Sequence, residues 1–523
     1  MSTKDIYENP LVSRNASPEM CRLFSPRQRI LTWRRIWLAL AECEADLGLP
    51  ISARQLGQLR RTLEDIDFDA AAAHEKRLRH DVMAHLHAWG DVAPDARGIL
   101  HLGATSMDVV DNADVVIMRD ALALVRDWLA NAIDALAGFA RKWRDLPCLG
   151  YTHFQPAQLT TVGKRATLWC YDFVRDLEEV EHLLAGLRLR GIKGATGTQA
   201  SFLSLLGGDA RKVARLEKMV AQRLGFDAVE PVTGQTYTRK IDAQVAAALA
   251  NIAVSAHKFA NDVRLLAGMK EIEEPFEKHQ VGSSAMAYKR NPMRCERMTG
   301  LARYLISILN SPFQNAAEQW LERTLDDSAN KRLTTPEAFL AADGILRLVV
   351  DVARGLVVNE KVIAARVQAE LPFMATEEIL MAATTGARRA DHRTTERQSP
   401  ERRRGGSRSP QRRRAARTSE PIPKSAMTLK GASTGDRQEL HERIRQHAMA
   451  AARQVKEQGR PNDLLRRLAD DPAFAGVDLD QAMDAGQFIG LAPQQVDAFL
   501  KEVVRPVLLR HRKALGRSVS LNV

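Results

Sequence analysis

The 523-residue chain is predicted to be all-helical, with a bundle of long helices at its centre. Three observations carry this expectation. Apolar residues recur three and four positions apart along most of the chain, which puts them on one face of a helix. Short alternating runs of β-branched residues between turns, the mark of strands, are almost absent. Asp242–Met269 keeps its helical pattern long enough for a rod of about 40 Å. Helices of that length bury their apolar faces against other long helices, often from partner subunits.

Taken in order, residues 1–105 read as helices separated by turns. Ile30–Leu47 places Trp33, Ile36, Trp37 and Leu40 on one face, and Glu75–Trp89 repeats the pattern among charged residues. After the HLGATS turn at His101–Ser106 come the long stretches. Asp114–Trp143 carries Ile117, Ala121, Leu124, Val125, Trp128 and Ile133 at helical spacing. Leu159–Leu187, Asp242–Met269, Met293–Leu309 and Pro336–Val357 behave likewise. Residues 359–383 and 429–523 read as a smaller helical region. Between them, Thr384–Thr428 is rich in Arg, Ser, Pro and Gly. It has too little apolar content to offset its ordering entropy, so it is expected to be disordered.

The net charge of +12 is concentrated there. Residues 384–428 hold 13 Lys/Arg and 4 Asp/Glu, which leaves only +3 for the rest. A basic nucleic-acid face on the folded part is therefore not implied, and any such partner is confined to 384–428. No apolar run approaches the roughly 20 residues of a membrane span. The N-terminal MSTKDIYENP is polar, unlike a signal peptide. Cys21, Cys43, Cys148, Cys170 and Cys295 are scattered and odd in number, which points to reduced thiols in a cytoplasmic protein rather than a zinc site or a disulfide frame.

The most informative stretch is Gly282–Arg297, GSSAMAYKRNPMRCER. Asn291 is placed to cap a helix whose first residue is Pro292. A helix N-terminus beside Lys289 and Arg290 suits an anion, and the Ser283 and Ser284 hydroxyls lie in that positive field. Composition alone is equally consistent with a capped surface loop. Other segments carry chemistry-bearing residues with bland readings of their own. In YTHFQPAQLTTVGK (151–164), His153 falls in a turn before a helix expected from Leu159. In KRLRHDVMAH (76–85), Arg79, His80 and Asp81 meet at a helix start, a place where charges are commonly just solvated. His85 and His87, one turn on, are read as structural. Thr105 and Ser106 read as an N-cap. The Gly/Thr loops GIKGATGTQAS (191–201) and TGQTYTRK (233–240) lack the spacing of a nucleoside-triphosphate loop. In WLERTLDDSANKR (320–332), Arg323 and Arg332 lie nine positions apart and share a face only if the chain turns at Asp326-Asp327.

The 282–291 string resembles the GSSxMPxKxN-type signature of the fumarase/aspartase superfamily, with Ala287 where Pro is usual. Its flanks, KEIEEPFEKHQ (270–280) and YKRNPMRCER (288–297), resemble the adenylosuccinate lyases of the animal type. So do THFQPAQ, RHD, HLGATS, and LPFMATEEILM (371–381), with the match resuming near Lys430. The resemblance implies three helical domains, 1–105, 106–358 and 359–523, in a homotetramer whose central bundles join into one core and whose active sites are each built from three subunits. It implies elimination of fumarate from succinylated purine nucleotides, with no metal or redox cofactor. Ser283 is the implied base and His153 the implied acid. Lys289 and Asn291 stabilise the carbanion-like intermediate, and Thr105 and Ser106 bind the succinyl carboxylate. Arg14, Arg79, His80, Asp81, Gln235, Arg297, Arg323, Ser328 and Arg332 are the further implied substrate contacts. Asn15 departs from the Tyr usual after Arg14. Two alternatives stand beside this: a sibling argininosuccinate or fumarate lyase, and a non-catalytic scaffold that binds RNA or a partner through its Arg-rich insert.

Overall fold

Helix follows helix along most of the chain in the computed structural model, which describes residues 5–282, 284–394, 436–480 and 483–521. A short π-turn at Leu11–Asn15 leads to α1 (Pro18–Leu23) and α2 (Pro26–Asp46). Both helices start on a Ser-Pro pair. Ser17 and Ser25 accept from the amides of Met20 and Gln28, and the proline supplies a first residue that needs no amide partner. α3 (Ala53–Arg61) opens on a reciprocal Ser52/Gln55 capping box. The helix expected over Glu75–Trp89 is broken in two, α4 (Phe68–Leu78) and α5 (Asp81–Val92). Arg79 adopts a left-handed conformation (φ 56°), and His80 caps the second helix.

α6 (Ser106–Lys142) begins eight residues before the expected Asp114 and runs about 55 Å. A hairpin, β1 (Pro147–Thr152) and β2 (Gln155–Thr161), precedes α7 (Val162–Gly186), so the helix expected from Leu159 starts three residues later. Then come α8 (Ala200–Leu205), α9 (Ala210–Arg223), α10 (Lys240–Gly268), the two-residue β3 (Ile272–Glu273), α11 (Met293–Ile308) and α12 (Asn310–Ala317). α13 (Asp326–Gly355) carries Pro336 in its interior, where the sequence suggested a helix start; the 30-residue packed helix outweighs the one bond to the Arg332 carbonyl that proline cannot make. β4 (Val357–Val358) pairs antiparallel with β3. α14 (Glu360–Met374), α15 (Thr376–Thr394), α16 (Arg437–Gln458), α17 (Leu464–Ala469), α18 (Ala492–Phe499) and α19 (Arg505–Arg510) complete the chain. Residues 384–394, expected to lack structure, continue α15, with Thr384 bonded back to the Leu380 carbonyl; the rest of that expectation, 395–428, lies outside the described residues. Among the described residues no helix is long and apolar enough to cross a membrane.

The chain divides into two compact units. Met1–Arg141, Ala166–Val358 and Ala498–Val523 form one; Lys142–Arg165 and Asn359–Asp497 form the other. In the first, α10 packs against α11, α12 and α13. Its C-terminal segment is strapped on by Asn131 of α6, whose side chain donates to the Ala514 carbonyl and accepts from the Arg517 amide. In the second, β1 and β2 pack on α14, and the apolar residues of α15, α16 and α17 share a core with Phe474.

The N-terminal core of the first unit is built on tryptophan. Trp33, Trp37 and Trp89 are fully buried among Leu59, Val82 and Leu86. His85 lies edge-on to Trp33 and Phe68, and the Trp37 indole donates to His101 Nδ1 at 2.9 Å. Burial pushes both imidazoles down to about 4, so each is neutral in the folded chain. An unfolded histidine takes up a proton near pH 6.5, so stability is present above that pH and is lost as pH falls from about 6.5 towards 4. The thermal midpoint is expected to decline over that window. His85→Phe, which keeps a ring on Trp33 and Phe68 but cannot titrate, is expected to flatten the decline. An identical pH profile for the two proteins would show that His85 contributes nothing to it.

Candidate active site

Three long helices of the first unit meet around a buried ion network. Asp111 and Asp114 come from α6, Arg239 from the residue before α10, Asp242 from its first turn, and Asp327 and Lys331 from the start of α13. Arg239 forks onto Asp111 at 3.1 and 3.2 Å, and its Nε donates to Asp327 at 2.6 Å. Arg323 also donates to Asp327, at 3.1 Å. Lys331 donates to Asp114 at 3.2 Å and to the Tyr237 hydroxyl at 2.8 Å, and that hydroxyl donates to Asp242 at 2.6 Å. Burial works against the charge on Arg239, but Asp111 and its neighbours outweigh it and raise the pKa, so the guanidinium stays charged. Burial raises the Asp114 carboxyl against the pull of Lys331.

Above this network lies a cavity of about 150 Å³. Of the site residues expected from sequence, Arg323, Ser328 and Arg332 line it. The turn that their spacing required is present: α13 begins at Asp326, so Arg323 stands before the helix and Arg332 within it. Arg332 donates to Asp81 at 3.0 Å. Beside Asp81, His80 caps α5 through Nδ1, and its Nε2 is 3.3 Å from the Ser106 hydroxyl. Thr105 donates its amide to Asp108, a buried carboxylate paired with Arg190 and bonded by the Lys193 and Gly194 amides. The HLGATS turn, the RHD element and the start of α13 are thus joined through side chains. Gln235 is tied to the residue before Arg323: its amide donates to the Glu322 carbonyl, and its side chain donates to the Ala195 carbonyl. A Cβ on Gly234 would stand 2.7 Å from the Glu322 oxygen, so only glycine allows these two backbones to touch.

Arg14, Gln235, Lys289, Asn291 and Arg297 are outside the lining of that cavity. Arg14 and Arg297 feel one another: burial first, then the like charge of Arg14, lowers the Arg297 pKa. Lys289 is exposed on the 282–291 loop, and Ser283 lies outside the described residues. Asn291 does not cap α11. Its side chain donates to the Gly282 carbonyl at 2.8 Å and closes the neck of the loop, while Pro292 takes the cap position with no side-chain bond. The amides of Arg294 and Cys295 are taken instead by Glu274, at 2.9 and 2.8 Å. The anion expected at this helix N-terminus is therefore part of the chain itself.

In the second unit, His153 is at the tip of the β1–β2 hairpin rather than in a simple turn before a helix. Thr152 pairs with Gln155, so His153 and Phe154 form a two-residue turn with φ 51° and 57°. Such turns favour Asn-Gly; a bulky pair held left-handed is strained, and that strain is characteristic of functional positions. The imidazole is exposed, and the turn is steadied by Tyr151, which stacks near Phe154 and accepts from Arg366.

Comparison with known proteins shows the family. A family described as "Lyase" matches residues 54–306, and one described as "Adenylosuccinate lyase C-terminus" matches 425–499. The adenylosuccinate lyase of Saccharomyces cerevisiae is 47% identical, with the whole of both chains covered. The chain belongs to the adenylosuccinate lyase family. The Schizosaccharomyces pombe member is 46% identical over 96% of this chain and 95% of its own. The crystal structure of fumarate lyase from Mesorhizobium sp. BNC1 shares the fold, with a TM-score of 0.72 at 23% identity over 95% of this chain and all of that one.

Sequence reading did not nominate Arg239, Asp111, Asp114, Asp327, Lys331 or Glu274. The available signal was charge at helical positions that also carry core residues: Asp108 and Asp111 share a face with the buried Val115. Replacing Arg239 with Met would leave the buried Asp111 carboxylate without its guanidinium and Asp327 with Arg323 alone. The expected loss is about 3–5 kcal/mol, read as a lower urea midpoint; a loss under about 1 kcal/mol would remove the network from the determinants of the fold. At the loop neck, a Cβ on Gly282 would stand 2.1 Å from the Lys289 carbonyl oxygen. Gly282→Ala is expected to open the neck and speed tryptic cleavage after Lys289 and Arg290, and an unchanged cleavage rate would count against the neck.

Proposed function

We infer that this chain is a carbon–nitrogen lyase that eliminates fumarate from adenylosuccinate, giving AMP, and from succinyl-aminoimidazole-carboxamide ribotide. One observation carries the reading. In a chain matched end to end by an adenylosuccinate lyase, the acid, base and intermediate-binding residues that the resemblance implies, His153, Ser283, Lys289 and Asn291, are all present. The cavity with its Arg323, Ser328 and Arg332 wall supports a highly anionic nucleotide substrate.

In this mechanism Ser283 removes the proton from the succinyl carbon next to a carboxylate. The C–H electron pair becomes the carbon–carbon double bond, the C–N bond breaks, and His153 protonates the departing nitrogen. Lys289 and Asn291 hold the charge that builds on the carboxylate before cleavage. Thr105 and Ser106 receive the succinyl carboxylate, while Arg14, Arg79, His80, Asp81, Gln235 and Arg297 contact the rest of the substrate. The active form is a homotetramer of three-domain chains (1–105, 106–358, 359–523), each site drawing on three subunits. Exposed Leu168, Val254 and Leu265 on α7 and α10 support that assembly. The compartment is the cytoplasm, in keeping with five free thiols.

The test is fumarate release from adenylosuccinate by the full-length protein, by a version lacking 395–428, and by Ser283→Ala and His153→Ala. Both intact and shortened chains are expected to be active, and each substitution is expected to lower kcat at least about 100-fold. Near-normal turnover by Ser283→Ala would overturn the base assignment. No fumarate from either folded chain would overturn the lyase reading and favour a binding role for the Arg-rich segment.

A further inference from the structure

The positive charge around the cavity is unevenly neutralised. Arg239 is spent on Asp111 and Asp327, Arg323 shares Asp327, and Lys331 faces Asp114 and Asp242. Two lining guanidiniums remain, Arg29 and Arg332; Asp81 is the carboxylate they share at close range, with Asp114 and Glu75 acting on Arg29 from farther off. Asp81 Oδ2 is 3.0 Å from Arg332 and 4.0 Å from Arg29. Arg29 is in the first turn of α2, far in sequence from the α6 and α13 residues of the cavity. It is held over the Trp33 ring, 5.0 Å from its centroid. Its Nε is buried without a hydrogen-bond partner. Burial, and then the like charge of Arg332, lowers the Arg29 pKa, so the two cations repel.

We propose that Arg29 is a substrate-contacting residue that binds the phosphate of the nucleotide together with Arg332. This rests on the lyase reading and adds to it a residue from α2. A dianionic phosphate relieves the repulsion between the two guanidiniums and offers enough acceptor oxygens to engage both at once. Ser328, in the first turn of α13, puts a hydroxyl and the positive end of a 30-residue helix on the same cavity. A cavity of about 150 Å³ takes a group of roughly benzene's bulk, not a whole nucleotide, so the part of the substrate that enters is a compact one.

Steady-state kinetics of Arg29→Gln and Arg29→Lys test the assignment, with adenylosuccinate and with its dephosphorylated nucleoside as substrates. Inorganic phosphate serves as a separate probe by thermal shift. Arg29→Gln is expected to raise KM for the nucleotide about 10–100-fold, the loss of one charge-assisted contact, with kcat changed little. It is expected to leave KM for the nucleoside unchanged and to abolish stabilisation by phosphate. Arg29→Lys is expected to recover part of both effects. Equal losses on nucleotide and nucleoside would overturn the proposal and give Arg29 a structural or carboxylate-binding role. An unchanged KM with an undiminished phosphate shift would overturn it outright. Absence of fumarate release from the unsubstituted protein would strike the lyase reading instead, and the phosphate shift of Arg29→Gln against wild type would still decide whether Arg29 binds phosphate.

Discussion

The contact on which the first unit's site depends is the fork of Arg239 onto Asp111, with Asp327 closing its other side. All three groups are almost completely buried. Charges in such a place cost several kcal/mol each to desolvate, so they persist only where geometry is exact enough for each to repay the others. That demand pins the ends of α6, α10 and α13 to one another, which packing of smooth apolar faces alone does not do. Leucine and alanine ridges tolerate sliding; a bidentate guanidinium does not. The cavity sits directly on this junction, so the residues that line it inherit its rigidity.

The ends of helices do much of the positioning, and each does so differently. At α5 the cap is an imidazole, His80, which leaves its other nitrogen beside Ser106. At α6 it is Asp108, bonded to the Thr105 amide and anchored in turn by Arg190 and two further amides. At α11 the cap arrives from Glu274, nearly twenty residues earlier, which frees Asn291 to close the neck of the 282–291 loop. Caps supplied from a distance tie segments together that a local Ser or Asn cap would leave independent.

The fold by itself says little about chemistry. A fumarate lyase of the same fold shares only 23% of its residues with this chain, and helical bundles serve many reactions. The segments at helix ends and in loops are where a rigid helical frame can display a few side chains. The left-handed His153–Phe154 turn is such a display. It holds an exposed imidazole at the tip of a hairpin, in a left-handed conformation that costs free energy for a bulky residue.

The amino-acid sequence alone determined the all-helical class, the position of α2, α10 and α11 to within a few residues, and the family. Apolar periodicity and long ordered motifs are local properties, readable without knowing what lies opposite. It was less able to mark boundaries where tertiary packing overrides a local preference. Pro336 is inside α13, Leu159–Thr161 is strand, and Arg79–His80 breaks a pattern that periodicity runs straight through. Only the tertiary structure decided the partners. Asn291 has the residue type of a cap and is used as a clasp, because Glu274 reaches the amides first. Asp327 reads as one of two surface aspartates and is buried under Arg239, and Arg29 reads as one more charge on an amphipathic helix and lines the cavity. A charged side chain looks the same in sequence whether water or another ion neutralises it, and that choice is made by residues tens to hundreds of positions away.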